Sequence, residues 1–143
     1  MIAPALKDSG LTLKHMLIWV KNNHVLGRCD YNYKHEPIIF GWLEKHNFYG
    51  KLAGNFSTLE FDKPQRSELH PTMKPVALLE KLITNSSLRD QIVLDPFLGS
   101  GSTLIACEKL GRRCFGMEID EHYCDVIIKR WEDFSGQKAV YAR

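Results

Sequence analysis

The sequence predicts an α/β protein built on a parallel sheet with a β-hairpin ahead of it. Three observations lead there. From Ile92 onward the chain alternates strand, helix, strand, helix, strand, a rhythm that right-handed parallel crossovers of a doubly wound sheet satisfy. The first of these strands, Ile92-Val93-Leu94, is apolar throughout, as expected of a strand buried on both faces. It runs straight into a glycine turn, Gly99 to Ser102, that opens a helix.

In chain order, Met1 to Gly10 reads as the tail of a helix closed by Gly10. Leu11 to Lys21 is a strand by its content of Leu13, Ile18, Trp19 and Val20. Asn22-Asn23 and Gly27 supply turn chemistry, and Tyr31 to Trp42 is a second strand, so the two form a hairpin with a long connection. Over 43–69 no period survives, and Lys63-Pro64 breaks any continuing element. This segment is the candidate for an insertion or recognition loop. Val76, Leu78, Leu79, Leu82 and Ile83 then recur at helical spacing behind Lys74-Pro75. Asn85 to Asp90 is a polar break before the strand at Ile92. A helix from Thr103 to Leu110 ends at Gly111, a strand covers Arg113 to Ile119, and a helix runs from about Glu121 to Phe134 with Asp120 as its N-cap. Gly136 and Ala139-Val140-Tyr141 suggest the beginning of a third strand.

Composition narrows the class. The chain has 143 residues, 44% hydrophobic and 25% charged, which fits one globular domain or a piece of a larger one. A net charge of +2 is too small for a globally basic nucleic-acid binder, so any basic surface is local. No apolar run is long enough for a membrane span and no signal layout opens the chain, so a cytoplasmic location is expected. Cys29, Cys107, Cys114 and Cys124 form no C-x-x-C pair. Free thiols in a reducing compartment are expected, with neither a metal site nor a disulfide framework.

The chemistry is concentrated in Val93-Leu94-Asp95-Pro96-Phe97-Leu98-Gly99-Ser100-Gly101-Ser102-Thr103. Glycines let a ligand approach the backbone, and the helix that follows presents unpaired N–H groups at its start. A Gly-x-Gly turn is weak evidence by itself and fits a simple strand-to-helix turn. Glu118, at the end of the next strand, strengthens it, because an acid there accepts hydrogen bonds from ribose hydroxyls in α/β nucleotide sites. Asp95 is a second acceptor suited to a cationic amine. The turn has no Lys of a P-loop, and Leu104 stands where a dinucleotide fingerprint needs its third glycine.

Taken with His70-Pro71-Thr72-Met73-Lys74-Pro75 before it and Gly116-Met117-Glu118-Ile119-Asp120 after it, this segment resembles the DNA methyltransferases of the adenine-N6/cytosine-N4 class, in the permuted order that places the cofactor motifs last. Trp19-Val20-Lys21-Asn22 and Asp30 to Pro37 are similar to that family's hairpin region, and the likeness runs from about Leu13 to Ala139. The resemblance implies a partial Rossmann-like, S-adenosylmethionine-dependent methyltransferase fold. It divides into a hairpin region (1–42), a target-recognition insertion (43–69) and a cofactor-binding region (70–143), all parts of one incomplete domain. It implies that Asp95, Pro96, Phe97, Gly99, Ser100, Gly101, Ser102, Thr103 and Ile119 belong to the S-adenosyl-L-methionine site, that Glu118 binds its ribose, and that Thr72 and Lys74 lie near its carboxylate. A hydroxyl and an ammonium can both donate to a carboxylate, although a Lys at a helix start is also commonly just solvated.

The resemblance also implies DNA as partner, with base flipping followed by direct methyl transfer to an exocyclic amine, adenine N6 ahead of cytosine N4. Lys45, Lys51, Lys63 and Arg66 can contact phosphates, and His46, Asn47, Asn55 and Gln65 can reach base edges. An ordinary solvated loop explains the same composition. His35 and Glu36 are weaker candidates for a catalytic part, since packing or solvent exposure accounts for both. The family's Asp/Asn/Ser-Pro-Pro-aromatic tetrapeptide orients and polarises the poorly nucleophilic amine. No Pro-Pro occurs in these 143 residues, so the catalytic motif is expected upstream of Met1 and the chain is expected to be inactive alone. The rival expectation is a non-catalytic module that binds cofactor or DNA beside a catalytic partner, or self-associates through unpaired sheet edges.

Overall fold

The computed structural model describes residues 8, 10–24, 30–51, 53–63 and 73–142. The chain falls into two compact units, Met1–Lys63 and Pro64–Arg143.

The first unit is a three-stranded sheet in the order β2-β1-β3, with β1 Thr12–Val20, β2 His35–Trp42 and β3 Thr58–Glu60. β1 and β2 form the expected hairpin, antiparallel from Val20↔His35 to Thr12↔Trp42, with an irregularity between Leu13 and His15. β3 runs parallel to β1, pairing Ile18↔Thr58 through Val20↔Glu60. It corrects the view that no regular element lies within 43–69. Three residues are too few for a period to be read in sequence, and pairing with β1 is what makes them a strand. The core here is Trp19, 1% exposed, beside Leu59. The Trp19 indole N–H donates to the Phe61 carbonyl at 2.7 Å, which satisfies its one polar atom. The Lys21 ammonium is buried and lies 3.4 Å from Glu36 Oε1 across the hairpin.

The second unit orders α1 Val76–Ser86, β4 Ile92–Asp95, α2 Ser102–Leu110, β5 Arg113–Gly116 and α3 Glu121–Ser135. β4 and β5 are parallel, in register from Ile92↔Arg113 to Asp95↔Gly116. Ile83 of α1 joins Ala106 and Cys107 of α2 in the core, with Val76, Leu79, Val93, Leu110 and Cys114 packed around them. Val93 and Cys114 therefore face the helices. On the opposite face, Ile92, Leu94 and Phe115 stay exposed, so the apolar run at Ile92 is covered on one side where burial on both is expected from its composition. Arg112 ties the far end of this layer together, donating to Ser87 O at 2.8 Å and to Leu110 O at 2.5 Å. Asp90, at φ +64°, donates its N–H to Gly111 O.

Several expectations need adjustment. The second hairpin strand begins at His35 rather than Tyr31, and β5 stops at Gly116 rather than Ile119. Residues 117–119 leave the ladder because their backbone turns back to the loop after β4. No strand forms at Ala139-Val140-Tyr141, since a strand needs a partner and none pairs with it among the described residues. Instead Glu132 gathers this tail, accepting from Lys138 Nζ at 2.8 Å and Ala139 N at 2.9 Å. Gly10 has the left-handed φ of +73° expected of a cap, while residues 1–7 of the proposed helix tail lie outside the described residues. Cys107, Cys114 and Cys124 are free thiols, and Cys29 lies outside the described residues. Among the described residues no helix is long and apolar enough to cross a membrane.

A methyl group on Gly41 would meet the Thr12 carbonyl oxygen at 2.4 Å, and backbone cannot step aside as a side-chain tip can. Gly41→Ala should destabilise the hairpin unit by about 1–3 kcal/mol, the usual cost of overpacking, read in urea unfolding. The Lys138 ammonium and the Ala139 N–H hold the Glu132 carboxyl below its ordinary pKa. That contribution is present above the unfolded carboxyl's pKa and is lost as pH falls through the depressed folded value. The protection factor of the Ala139 amide, its exchange rate relative to the intrinsic rate at that pH, should fall there, and at neutral pH in Glu132→Gln.

Candidate functional site

The parallel pairing of β4 and β5 brings two loops together at the carboxyl ends of the strands, where ligands bind in open α/β sheets. Backbone bonds join them: Met117 N donates to Asp95 O at 3.0 Å, and Leu98 N donates to Met117 O at 2.9 Å. Gly116 allows the approach, because a Cβ there would meet Leu98 Cδ2 at 2.5 Å.

Asp95 ends β4 and organises the turn after it. Its Oδ1 accepts from Phe97 N at 3.0 Å and its Oδ2 from Thr103 Oγ1 at 2.6 Å. One carboxylate thus fixes both the start of the turn and the first turn of α2, leaving lone pairs on each oxygen beyond these two bonds. Gly99 and Gly101 have φ of +55° and +79°, a region that glycine enters without steric cost. Gly101 is the N-cap of α2 and contributes no side-chain cap, so the first N–H groups of the helix are left for other acceptors.

Glu118 is the junction of the site. Its Oε2 accepts from Gly99 N at 2.7 Å, across the two loops, while Oε1 accepts from Ile119 N at 2.9 Å and Asp120 N at 3.0 Å. The carboxylate is held by three backbone donors before any ligand enters. Asp120, as expected, caps α3, accepting from His122 N at 2.9 Å and Tyr123 N at 3.4 Å.

The two large apolar side chains beside these acids point outward: Phe97 is 89% exposed and Ile119 is 98% exposed. Pro96 is exposed between Asp95 and Phe97. Ser100 and Ser102 behave differently, being buried with both hydroxyls near Arg130 Nη1 of α3, at 3.3 and 3.2 Å. Arg130 escaped the sequence reading. Only its spacing of three from Ile127, on the helix face that packs against the turn, marks it in the sequence. Lys74 is exposed beside the buried Pro75 that caps α1, and Thr72 lies outside the described residues.

The candidates for nucleic-acid contact scatter over the first unit and the segment after it. Lys45 and Lys51 are exposed on the β2–β3 connection, Lys63 is half-exposed, and Arg66 and Gln65 lie outside the described residues. The His46 ring stacks on Trp42 at 4.1 Å and on Phe48 at 6.0 Å. The Asn55 amide donates to Lys51 O. His35 packs edge-on to Tyr33 at 5.7 Å, and Glu36 is the partner of Lys21. Among the described residues no group of three or more His, Cys, Asp or Glu side chains is placed to hold a metal ion.

A strand-end glycine turn opening a helix, with an acid just past the next strand tied to that turn, is the arrangement expected of a nucleotide site in an open α/β sheet. The family follows from comparison: residues 1–130 match the model of the N6/N4 methyltransferase family, described as DNA methylase, and the chain belongs to it. The type II methyltransferase M2.DpnII of Streptococcus pneumoniae is 26% identical over 148 residues, covering 92% of this chain and 55% of the relative. The chain spans about half the length of the curated relatives it matches. The crystal structure of the M1.HpyAVI–SAM complex matches with a TM-score of 0.75 and 32% identity, over 90% of this chain and 66% of that one. The cytosine-N4-specific PvuII DNA methyltransferase matches with a TM-score of 0.77 at 15% identity, over 91% of this chain and 55% of that one, a likeness of fold alone. The fold is that of the S-adenosylmethionine-dependent methyltransferases, as the motif order predicts.

The Thr103–Asp95 bond offers a direct test of how the turn is held. Thr103→Val keeps the shape and removes the donor, leaving a carboxylate oxygen short of one partner. A loss of about 1–2 kcal/mol is expected in thermal unfolding, with faster amide exchange at Phe97.

Proposed function

We propose that this chain is the S-adenosylmethionine-binding part of a DNA amino-methyltransferase. The observation that carries the reading is the Glu118 carboxylate bound to Gly99 N across the two strand-end loops. It fixes an acid beside a glycine turn and a helix start, and next to two open apolar side chains. These residues fit the cofactor. Glu118 would hold the ribose hydroxyls, which enter as further or exchanging donors on an already oriented carboxylate. Phe97 and Ile119 would cover the adenine faces. Asp95 would face the amino-acid portion's ammonium, while Thr72 and Lys74 would donate to its carboxylate. Pro96, Gly99, Ser100, Gly101, Ser102 and Thr103 would form the wall, with the serines acting from behind it. When bound, the cofactor supplies an electrophilic methyl group on a sulfonium.

The substrate of the intact enzyme is DNA, with an exocyclic amine as acceptor. Adenine N6 is the proposed target ahead of cytosine N4. The cytosine-N4 specificity is that of the PvuII enzyme, whose likeness reaches only the fold. Exposed Lys45 and Lys51, with Lys63 and Arg66, would contact phosphates, a sequence-independent term that falls with salt. These 143 residues contain no Pro-Pro pair, so methyl transfer is proposed to need a catalytic segment outside them. A second reading, in which the chain works beside a catalytic partner or a second copy, is favoured by the exposed apolar face of Ile92, Leu94 and Phe115.

Calorimetric titration with S-adenosylhomocysteine, beside a radiolabelled methyl-transfer assay on mixed DNA, tests the reading. Binding without transfer is expected, together with no binding of a nicotinamide dinucleotide. Glu118→Ala should weaken binding about tenfold or more, from loss of charge-assisted hydrogen bonds. Transfer by the chain itself would refute the need for an outside segment, and failure to bind would refute the cofactor assignment.

A further inference from the structure

The face of α3 that meets the glycine turn carries two residues one helical turn apart. Ile127 is buried, and its branched carbons lie 3.3 Å from where a Cβ on Gly101 would stand. Arg130, at the next turn, donates through Nη1 to Ser100 O at 2.8 Å, with the Ser100 and Ser102 hydroxyls at 3.3 and 3.2 Å. Ser100 and Ser102 are only 4% and 6% exposed. Water therefore cannot readily replace this donor, and an unsatisfied buried acceptor is costly. Burial lowers the pKa of Arg130, yet a guanidinium stays charged at neutral pH.

Arg112 shows what an arginine of structural use alone looks like here. It clamps Ser87 O and Leu110 O at the opposite end of α2, away from both strand-end loops. Arg130 instead grips the peptide between two left-handed glycines, Gly99 and Gly101. Gly99 is also the residue whose N–H meets Glu118. A turn containing two glycines has many alternative conformations, and a single cation behind it selects one.

We infer that Arg130 is a positioning residue for the cofactor loop. It holds the Ser100 carbonyl and the two serine hydroxyls from behind, so that Gly99 N, Gly101 and the first N–H groups of α2 keep the orientation that a ligand meets. The inference rests on the reading of this loop as the S-adenosylmethionine cradle. It assigns Ser100 and Ser102 to Arg130 rather than to the ligand.

The test compares Arg130→Ala, Arg130→Lys and Arg112→Ala in this chain, by thermal unfolding and by S-adenosylhomocysteine calorimetry. Arg130→Ala should lose about tenfold or more in affinity, the scale of one buried charge-assisted bond. Arg130→Lys should recover part of it, and millimolar guanidinium should partly restore Arg130→Ala. Arg112→Ala should lower the melting temperature while holding affinity within about twofold, because its contacts lie outside the loop. Equal affinity in folded Arg130→Ala, or an equal affinity loss in Arg112→Ala, would overturn the inference. Should Arg130→Ala not fold, Arg130→Lys decides: reduced affinity at near-native melting supports the role, and unchanged affinity refutes it. Failure of the unsubstituted chain to bind would instead strike the cofactor reading itself.

Discussion

One carboxylate organises the carboxyl end of the sheet in this molecule. Glu118 accepts N–H bonds from Gly99, Ile119 and Asp120, so the turn after β4, the turn after β5 and the start of α3 share a single anchor. Each of these segments leaves the strand ladder with backbone donors that need partners, and an ionised acceptor satisfies them more strongly than a neutral one. The strands set the distance between the loops, and Glu118 fixes their relative orientation. The carboxylate is therefore oriented by the fold itself, through three backbone donors.

α3 supports this arrangement from behind. Its N-terminus is capped by Asp120, directly after the Glu118-bound Ile119. Its next turns apply Ile127 to Gly101 and Arg130 to Ser100. Further along, Trp131 Nε1 donates to Glu108 Oε2 at 3.0 Å and couples the helix to α2. Cap, apolar contact and cation lie in series on one helix. The core beneath is small, centred on Ile83, Ala106 and Cys107. In a unit of that size polar ties carry an unusual share of the definition of the loops.

The hairpin unit follows a different logic. Trp19 anchors it through burial and one hydrogen bond to Phe61 O. The segment after β2 folds back on the sheet with His46 between Trp42 and Phe48. Side chains that composition offers for reading bases, His46 and Asn55, are engaged within the unit itself. Lys45 and Lys51 remain on the surface.

Most of the second unit was legible from residue order alone. The period of Val76 to Ile83, the apolar run at Ile92, the cap at Asp120 and the glycines at 99 and 101 are local properties. Local sterics and hydrogen bonding decide them wherever the chain is placed. The family was legible for the same reason, since its motifs are short and contiguous. Other features depend on partners far away in sequence. β3 is a strand because β1 is beside it, and Ala139 to Tyr141 form none because nothing pairs with them among the described residues. The sheet face at Ile92 is exposed because the described helices pack on the other side. Ser100 and Ser102 look from the sequence like ligand contacts, but their hydroxyls turn inward to an arginine 28 to 30 residues away. Sequence thus determined which segments turn, cap and alternate. Only the tertiary structure decided which acceptor each donor would find, because a hydrogen bond depends on proximity in space and carries no period along the chain.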